Sequence, residues 1–323
     1  MKHSITEPEI EGYPGYRLES EDAQVTATFV PGAGMVGTSL THKGEELLVQ
    51  ENGLKDYVER GATFGIPLLH PWGNRLESET YKVEGKEVDL KLVAPLVARD
   101  PNGLPIHGLG AGRKEWTVTE VAPGMTCARL TAILDIDAGS SIFPGFPFPH
   151  RLQHVITLAG ATPGACLSIE TKLTATGKPS VPVVFGWHPY FHLPGVKRKD
   201  WIVDLPVRRH YRLNTQNLPT KEREPVVVEK EQLGNRIYDD LFDKPVAGNG
   251  NQSTFTLEGG NRKLAVCFEF GYPYAIVWAP ADRDLICFEP MTAATNALAT
   301  GWPELITVAP DESYIARFSI FVS

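Results

Sequence analysis

Four short segments of the chain concentrate residue types that bind small molecules and move protons. In each, histidine, arginine, tryptophan or glutamate stands beside proline and glycine, which fix unusual backbone conformations. Such clusters on loops above a rigid scaffold are typical of binding sites. Histidine titrates near neutral pH and a desolvated glutamate has a raised pKa, so the two together suit general acid–base catalysis. The segments are Gly65–Leu76, Gly103–Gly108, Phe185–Gly195 and Phe288–Thr292.

The cysteines do not form a pattern typical of a metal site. None of Cys127, Cys166, Cys267 and Cys287 is part of a CxxC pair, which disfavours a zinc ribbon. Each lies in an apolar, strand-like run, where a free cysteine packs as a small hydrophobic residue. We therefore expect no metal ligand among them, and a reducing compartment.

The elements that position these segments are predicted to be strands. Apolar runs with a period of two or with β-branched residues recur along the chain, and turn residues separate nearly all of them. Helical signal is confined to Leu54–Arg60 and Thr295–Thr300, whereas a doubly wound α/β fold needs a helix between successive strands. We therefore expect one all-β domain over residues 1–323, a large and mostly antiparallel sandwich. The predicted strands include Gln24–Val30, Glu87–Val93, Trp116–Val121, Ala128–Ile136, His154–Leu158, Cys166–Leu173, Trp201–Leu205, Val226–Val228, Ser253–Leu257, Leu264–Phe270, Ala275–Trp278, Leu285–Phe288 and Tyr314–Val322.

The charge balance restricts the partners. The chain has 31 Lys and Arg against 39 Asp and Glu, a formal net charge of −8, and one short basic run at residues 197–199. Nucleic acids and anionic membranes bind clustered basic residues, so we expect neither as a partner. The N-terminal residues contain no apolar stretch of the secretory type, and no run approaches ~20 apolar residues. A cytoplasmic protein is therefore expected.

Five sequence elements, in the same order as in the family, resemble the aldose 1-epimerase (galactose mutarotase) family. Together they span nearly the whole chain from about residue 65 to residue 322. The resemblance implies a galactose-mutarotase-like β-supersandwich that acts on a sugar without a metal or other cofactor. The elements are HPWGNRL at 70–76, LPIHG at 104–108, GWHPYF at 186–191, FEPMTAATNAL at 288–298 and the closing VAPDESYIARFSIFV at 308–322.

The resemblance also implies a role for individual residues. His188 matches the general acid and Glu289 the general base that open a cyclic hemiacetal and close it on the other face of C1. Asp239 is the matching substrate ligand in a short Asp-x-x-Phe element, although Asp240 is an alternative match. The predicted substrate-binding residues are Asn74, Arg75, His107, Trp187 and Asp239. Trp72 and Tyr190 offer further flat faces for a pyranose, and His70 and His192 flank the motifs at the expected cleft.

The sequence elements are compatible with more than one substrate. Gly-Trp precedes His188 and Gly-Leu-Gly-Ala-Gly follows His107, where better-known members carry other residues, so galactose or glucose specificity is not implied. Three alternatives remain: a carbohydrate-binding protein without catalysis, a glycosidase that uses two carboxylates, and a sugar-phosphate epimerase. The last needs a phosphate pocket of Arg or Lys. Arg75 and Arg113 lie near the motifs without a dedicated cluster, so a free aldose is favoured. A homodimer is compatible with the sequence.

Overall fold

A nine-stranded antiparallel sheet forms the largest layer of the protein. The computed structural model describes residues 2–51, 53–110, 116–161 and 164–323. The sheet is built on long strands whose residues alternate between a buried and a partly exposed face, as along Gly164–Ala175. With strands numbered in chain order, the spatial order is β11 (Thr117–Ala122), β12 (Cys127–Ile136), β13 (His150–Ala161), β14 (Gly164–Ala175), β28 (Ser313–Val322), β24 (Arg262–Phe270), β23 (Ser253–Gly259), β18 (Ile202–Leu205) and β21 (Val228–Gln232).

An eight-stranded antiparallel sheet packs against the first. Nearly all residues of its central strands are buried, as expected of strands covered on both sides. Seven strands lie in the order β20 (Pro219–Pro225), β19 (Arg209–Leu213), β22 (Tyr238–Asp243), β25 (Tyr274–Ala279), β26 (Ile286–Met291), β16 (Gly186–Trp187) and β8 (Leu68–Leu69). The eighth, β17 (Tyr190–Phe191), pairs with β26 beside β16.

The N-terminal part of the chain forms a five-stranded sheet, and short elements complete the fold. The sheet has the order β1 (His3–Thr6), β4 (Tyr16–Ser20), β5 (Val25–Val30), β6 (Val36–His42) and β7 (Glu45–Glu46). Three two-stranded ribbons are β2 (Glu9–Ile10) with β3 (Tyr13–Pro14), β9 (Thr80–Val83) with β10 (Lys86–Asp89), and β15 (Val181–Pro182) with β27 (Thr307–Val308). In the described residues, the α-helices are α1 (Gly53–Arg60) and α2 (Ala297–Thr300), and 3-10 segments lie at Pro31–Ala33, Leu90–Leu96, Phe143–Gly145, Arg198–Asp200 and Asn249–Asn251.

One continuous core joins the three sheets. The rings of Phe255 on β23 and Phe288 on β26 pack 5.6 Å apart between the two large sheets. Leu167 on β14 and Phe29 on β5 belong to the same cluster of fully buried side chains. Burial of such apolar side chains makes the main favourable contribution to the free energy of folding. Glu289 follows Phe288 on β26 and therefore points to the opposite face of the eight-stranded sheet, where it is also buried.

The predicted all-β class is confirmed, with few and short helices. Two of the predicted strands are wrong in part. The strand expected at Glu87–Val93 ends at Asp89, whose carboxylate accepts a hydrogen bond from the Lys91 N–H and starts the 3-10 segment Leu90–Leu96. The strand expected at Val226–Val228 begins only at Val228, because Val226 lies in the connection after β20. Within the described residues, no helix has the length and apolar character to span a membrane.

Candidate active site

Two loops that are distant in sequence are paired into one wall of a cleft. The N–H of His107 donates to the carbonyl of Asn74 (2.9 Å), and the N–H of Leu109 donates to the carbonyl of His70 (3.0 Å). Asn74 and His107 both have left-handed backbone, with φ of 55° and 62°, a conformation that is costly for non-glycine residues. The pairing therefore holds both side chains at fixed positions on the same wall.

The catalytic candidates meet across strand β26. Gly186 and Tyr190 pair with Met291 and Cys287 of that strand, so His188 lies opposite Glu289. His188 Nε2 is 3.3 Å from Glu289 Oε1, and both side chains are buried. The structure thus brings the predicted acid and base together from segments about a hundred residues apart.

The register of the eight-stranded sheet selects Asp239 rather than Asp240. Asp239, Trp278, Cys287 and Tyr190 are direct partners across four neighbouring strands, so their side chains share one face of the sheet. Glu289 lies two residues beyond Cys287 and is on that face as well. Asp240 points to the opposite face, where its Oδ1 lies 3.2 Å from His210 Nδ1.

Asp239, Trp278, Tyr190 and Glu289 on this face contribute to the lining of a cleft of about 250 Å³. Its mixture of aromatic and polar walls is typical of small-molecule sites. The lining residues are Asn74, Arg75, Pro101, Ile106, His107, His188, Tyr190, Asp239, Trp278 and Glu289.

Arg75 is held on three sides. Its Nε donates to Asp100 Oδ2 (2.8 Å), its Nη1 to Asn74 Oδ1 (3.0 Å) and its Nη2 to Asp239 Oδ2 (3.5 Å). Asp239 also accepts a hydrogen bond from Asn217 Nδ2 (2.9 Å). Although burial raises the pKa of Asp100, hydrogen bonds from the Leu104 N–H and from Arg75 bring it below its usual range. A fixed guanidinium with several donors suits the recognition of sugar oxygens.

Burial moves the pKa values of the facing pair in opposite directions. Desolvation raises the pKa of Glu289 well above its ordinary value, and the nearby Asp239 adds to the effect. Desolvation lowers the pKa of His188 well below its ordinary value, and His107 contributes to this shift. Burial and the Arg75 charge lower the pKa of His107 to about 3, so that His107 is neutral. Glu289 Oε2 is buried without a hydrogen-bond partner and is therefore available to a ligand.

Comparison with known proteins identifies the family. A family model for aldose 1-epimerase matches residues 16–320. The chain belongs to the aldose 1-epimerase family. Among curated proteins, the uncharacterized protein YihR of Escherichia coli K12 is 28% identical over 247 residues, which cover 73% of this chain and 74% of YihR.

Solved structures show the same fold as this aldose 1-epimerase family member. A galactose mutarotase-like protein from Clostridium acetobutylicum superposes with a TM-score of 0.83 at 19% identity, over 100% of this chain and 99% of that one. A galactose 1-epimerase from Lactobacillus acidophilus superposes with a TM-score of 0.75 at 16% identity, over 99% and 98% of the two chains. The expected galactose-mutarotase-like architecture is thereby confirmed.

Trp187 does not line the cleft of this epimerase family member, contrary to the sequence prediction. Neighbouring residues of an extended chain point to opposite faces, so when His188 faces the cleft Trp187 faces the core. It is fully buried, its Nε1 donates to Thr171 Oγ1 (3.3 Å), and its ring packs against His154 and Phe318. Trp72 is buried in the core in the same way.

Further expectations for the cleft are also corrected. His70 is buried with its Nε2 2.9 Å from His150 Nε2, and neither it nor His192 is among the lining residues. Arg113 lies outside the described residues. Trp278 was missed, because only the strand register places it beside Asp239 and no local signal marks it. Within the described part of the chain, no group of three or more His, Cys, Asp or Glu side chains is arranged to hold a metal ion.

Proposed function

We propose that the protein interconverts the α and β anomers of an aldose by acid–base opening and closing of the sugar ring. The observation that carries the proposal is the contact between His188 Nε2 and Glu289 Oε1, 3.3 Å apart on one wall of the cleft. A histidine and a carboxylate supply the two proton transfers that the reaction needs.

The proton transfers between the sugar, Glu289 and His188 balance, so the reaction needs no cofactor. Glu289 takes the proton of the anomeric hydroxyl while His188 gives a proton to the ring oxygen, and the C1–O5 bond breaks to leave an aldehyde. Rotation about C1–C2 presents the other face of the carbonyl. The O5 hydroxyl then attacks C1 and returns its proton to His188, while Glu289 protonates the new anomeric oxygen.

The pKa shifts fit this cycle. With the open-chain sugar bound, the pair is a neutral carboxyl and a neutral imidazole, one proton in total. Burial favours that state, because it raises the pKa of Glu289 and lowers the pKa of His188. Burial disfavours the ionised Glu289 and the protonated His188 with which the cycle starts, so the shifts stabilise the ring-opened state relative to that ion pair.

The remaining lining residues position the ring. Arg75 and Asp239 form a hydrogen-bonded pair on one side of the cleft, and Asn74 and His107 present further polar atoms from the paired loops. Trp278 offers a flat face on the same row as Asp239. Holding a reactant in a fixed orientation is itself a large part of catalysis.

Polarimetry on freshly dissolved α-D-glucose and α-D-galactose, followed by NMR exchange measurements on a wider panel of aldoses, tests the proposal. Wild type is expected to accelerate anomer exchange over the spontaneous rate. Glu289→Gln and His188→Asn are each expected to lower kcat by about 10²–10⁴-fold. Asp240→Asn is the matched control, because that carboxylate lies on the other face of the sheet.

Each other outcome has a distinct meaning. Sugar binding with no acceleration for any aldose would refute catalysis and favour a carbohydrate-binding protein on this fold. Release of free sugar from aryl glycosides would favour the glycosidase alternative, with Asp239 as the second carboxylate.

A further inference from the structure

The cleft opens into an outer cavity of about 470 Å³ whose lining is rich in arginine. Arg75, Pro101, Ile106, His107, Tyr190 and Trp278 line both spaces, so the two are continuous. Among the described residues around the outer cavity, four are arginines, Asp100 is the one acidic residue and none is lysine. The arginines come from four separate segments of the chain: Arg60, Arg75, Arg99 and Arg283.

The three outer guanidinium groups are each held by a carboxylate. Arg60 pairs with Asp56 one turn earlier on α1. Arg99 Nη1 lies 2.5 Å from Glu79 Oε1. These contacts use one or two of the five donors that a guanidinium carries, so the others are available to a ligand.

Arg283 connects the outer cavity to the cleft. Its guanidinium lies 5.4 Å from the ring centroid of Trp278, and the Trp278 ring is 6.0 Å from that of His188. Its Nη2 lies 2.5 Å from Glu51 Oε2, while its Nε is buried and has no hydrogen-bond partner. A ligand that reaches past Trp278 from the catalytic pair therefore meets this guanidinium.

The four arginines are positively charged, whereas the protein as a whole has a negative net charge. The chain carries a net charge of −8, yet the entrance to its cleft is lined by guanidinium groups. Each guanidinium is paired with a carboxylate, so an anion is recognised by the remaining N–H donors of these fixed groups rather than by a net positive charge. Guanidinium groups also match the geometry of phosphate, sulfate and carboxylate oxygens, whereas neutral sugar hydroxyls need no such charge.

We propose that the sugar bound in this cleft carries an anionic substituent remote from its anomeric carbon, and that Arg283, Arg99 and Arg60 bind this substituent. The proposal rests on the proposed function for the position of the anomeric carbon beside His188 and Glu289. It departs from the free aldose that the sequence favours, because the four arginines are brought together only by the fold.

The test compares neutral and anionic versions of one sugar. The substrates are D-glucose, D-glucose 6-phosphate, D-glucose 6-sulfate and D-glucuronate, with the same four forms in the galactose series, measured by NMR exchange. At least one anionic form is expected to have a kcat/KM about tenfold or more above that of its neutral parent. The preference should weaken as salt is raised. The three anions distinguish a tetrahedral from a planar group.

Substitutions separate this effect from general damage to the site. Arg283→Gln and Arg99→Gln are each expected to lower kcat/KM about tenfold more for the preferred anionic sugar than for its neutral parent. Arg283→Lys should restore part of the loss. Arg151→Gln is the matched control, because Arg151 is a paired surface arginine, bound to Asp135, that does not line the cavity.

Calorimetry measures how the same sugars bind to wild type and to Arg283→Gln. It distinguishes a failure of the proposed enzymatic function from a failure of the proposed anion site. If no sugar shows catalysed exchange but an anionic one binds and Arg283→Gln abolishes its binding, the enzymatic function fails and the anion site stands. Equal kcat/KM and equal affinity for neutral and anionic sugars would overturn the anion site. The same holds if Arg283→Gln weakens both kinds of sugar alike.

Discussion

The imidazole of His188 lies parallel to the phenol ring of Tyr190, with ring centroids 4.3 Å apart and 5° between the planes. The Tyr190 hydroxyl is 2.5 Å from Thr63 Oγ1 and 3.4 Å from His188 Nε2. Two residues along the same extended segment thus form one stacked unit. The orientation of this stack determines the direction in which Nε2 of His188 faces Glu289.

Replacing the Tyr190 ring is expected to reduce catalysis more than removing its hydroxyl. Tyr190→Phe keeps the stack and loses only hydrogen bonds, so kcat should fall by at most about tenfold. Tyr190→Leu removes the plane that orients His188, and we expect a loss of about 100-fold in kcat, as for other small displacements of catalytic groups. Polarimetric kcat values for the two variants decide the matter. Equal losses in both would show that the stack has no positioning role.

The two tryptophans at 187 and 278 should separate stability from substrate binding. Trp278→Ala removes a wall of the cleft and is expected to raise KM about tenfold with little change in stability. Trp187→Ala opens a cavity in the core, so the free energy of unfolding should fall by about 3–5 kcal/mol with KM unchanged. Urea unfolding and initial rates on both variants test this. A raised KM in Trp187→Ala alone would mean that the cleft extends to that side.

Gly108 is predicted to tolerate no side chain, in contrast to its neighbour Gly103. Both are left-handed, with φ of 77° and 80°, so alanine costs about 1–2 kcal/mol at either position. A Cβ at Gly108 would also lie 2.2 Å from the carbonyl oxygen of His70, whereas a Cβ at Gly103 meets open space. Gly108→Ala should therefore cost about 1–3 kcal/mol more than Gly103→Ala. Because Gly108 directly follows the cleft residue His107, the substitution Gly108→Ala should also lower the catalytic activity. Equal stability of the two variants would contradict the close approach of the two loops.

Buried neutral histidines should make the protein sensitive to acid. Burial lowers the pKa of His150 to about 4 and of His154 to about 3, and the pKa of His70 well below its ordinary value. In the unfolded chain these groups take up protons near pH 6.5. The unfolded state therefore binds more protons below that pH, and stability falls as the pH drops from about 6.5 towards 4. Each histidine contributes a slope of about 1.4 kcal/mol per pH unit.

His154→Phe isolates one of these contributions. Both ring nitrogens of His154 are buried without hydrogen-bond partners, and the ring stacks on Trp116 with centroids 4.1 Å apart. Phenylalanine keeps a ring at that place, so stability at pH 7 should change little. The difference in unfolding free energy between the variant and wild type should grow in favour of the variant between pH 6.5 and 5. Parallel pH profiles for the two proteins would refute a buried neutral His154.

The sequence predicts the parts of the site that depend on local order. The motifs identify Arg75, His107, His188 and Glu289, all of which line the cleft, and the period-two runs predict most strands. The choice between Asp239 and Asp240 depends on which residue of β22 pairs with Trp278 on β25, and a shift of one residue would reverse it. Local patterns do not contain that register.

The proximity of the arginines around the outer cavity could not be predicted from the sequence, for a related reason. Arg60 ends a helix, Arg99 lies in a loop and Arg283 follows β25, and none stands in a recognisable motif. Their proximity arises from packing between distant segments. The same limit explains Trp187, whose motif was identified while its orientation was not.

Strand β26 is paired on both sides, with β25 on one edge and with β16 and β17 on the other, and it carries Glu289. Its amides can exchange with solvent only when the centre of the sheet opens, so the geometry of the acid–base pair is as durable as the fold itself. Arg60 instead ends a short helix and Arg283 lies in a loop, and surface connections of this kind tolerate substitution. A lineage of such proteins can therefore change which sugars it accepts, by altering these segments, while the reaction at C1 stays the same.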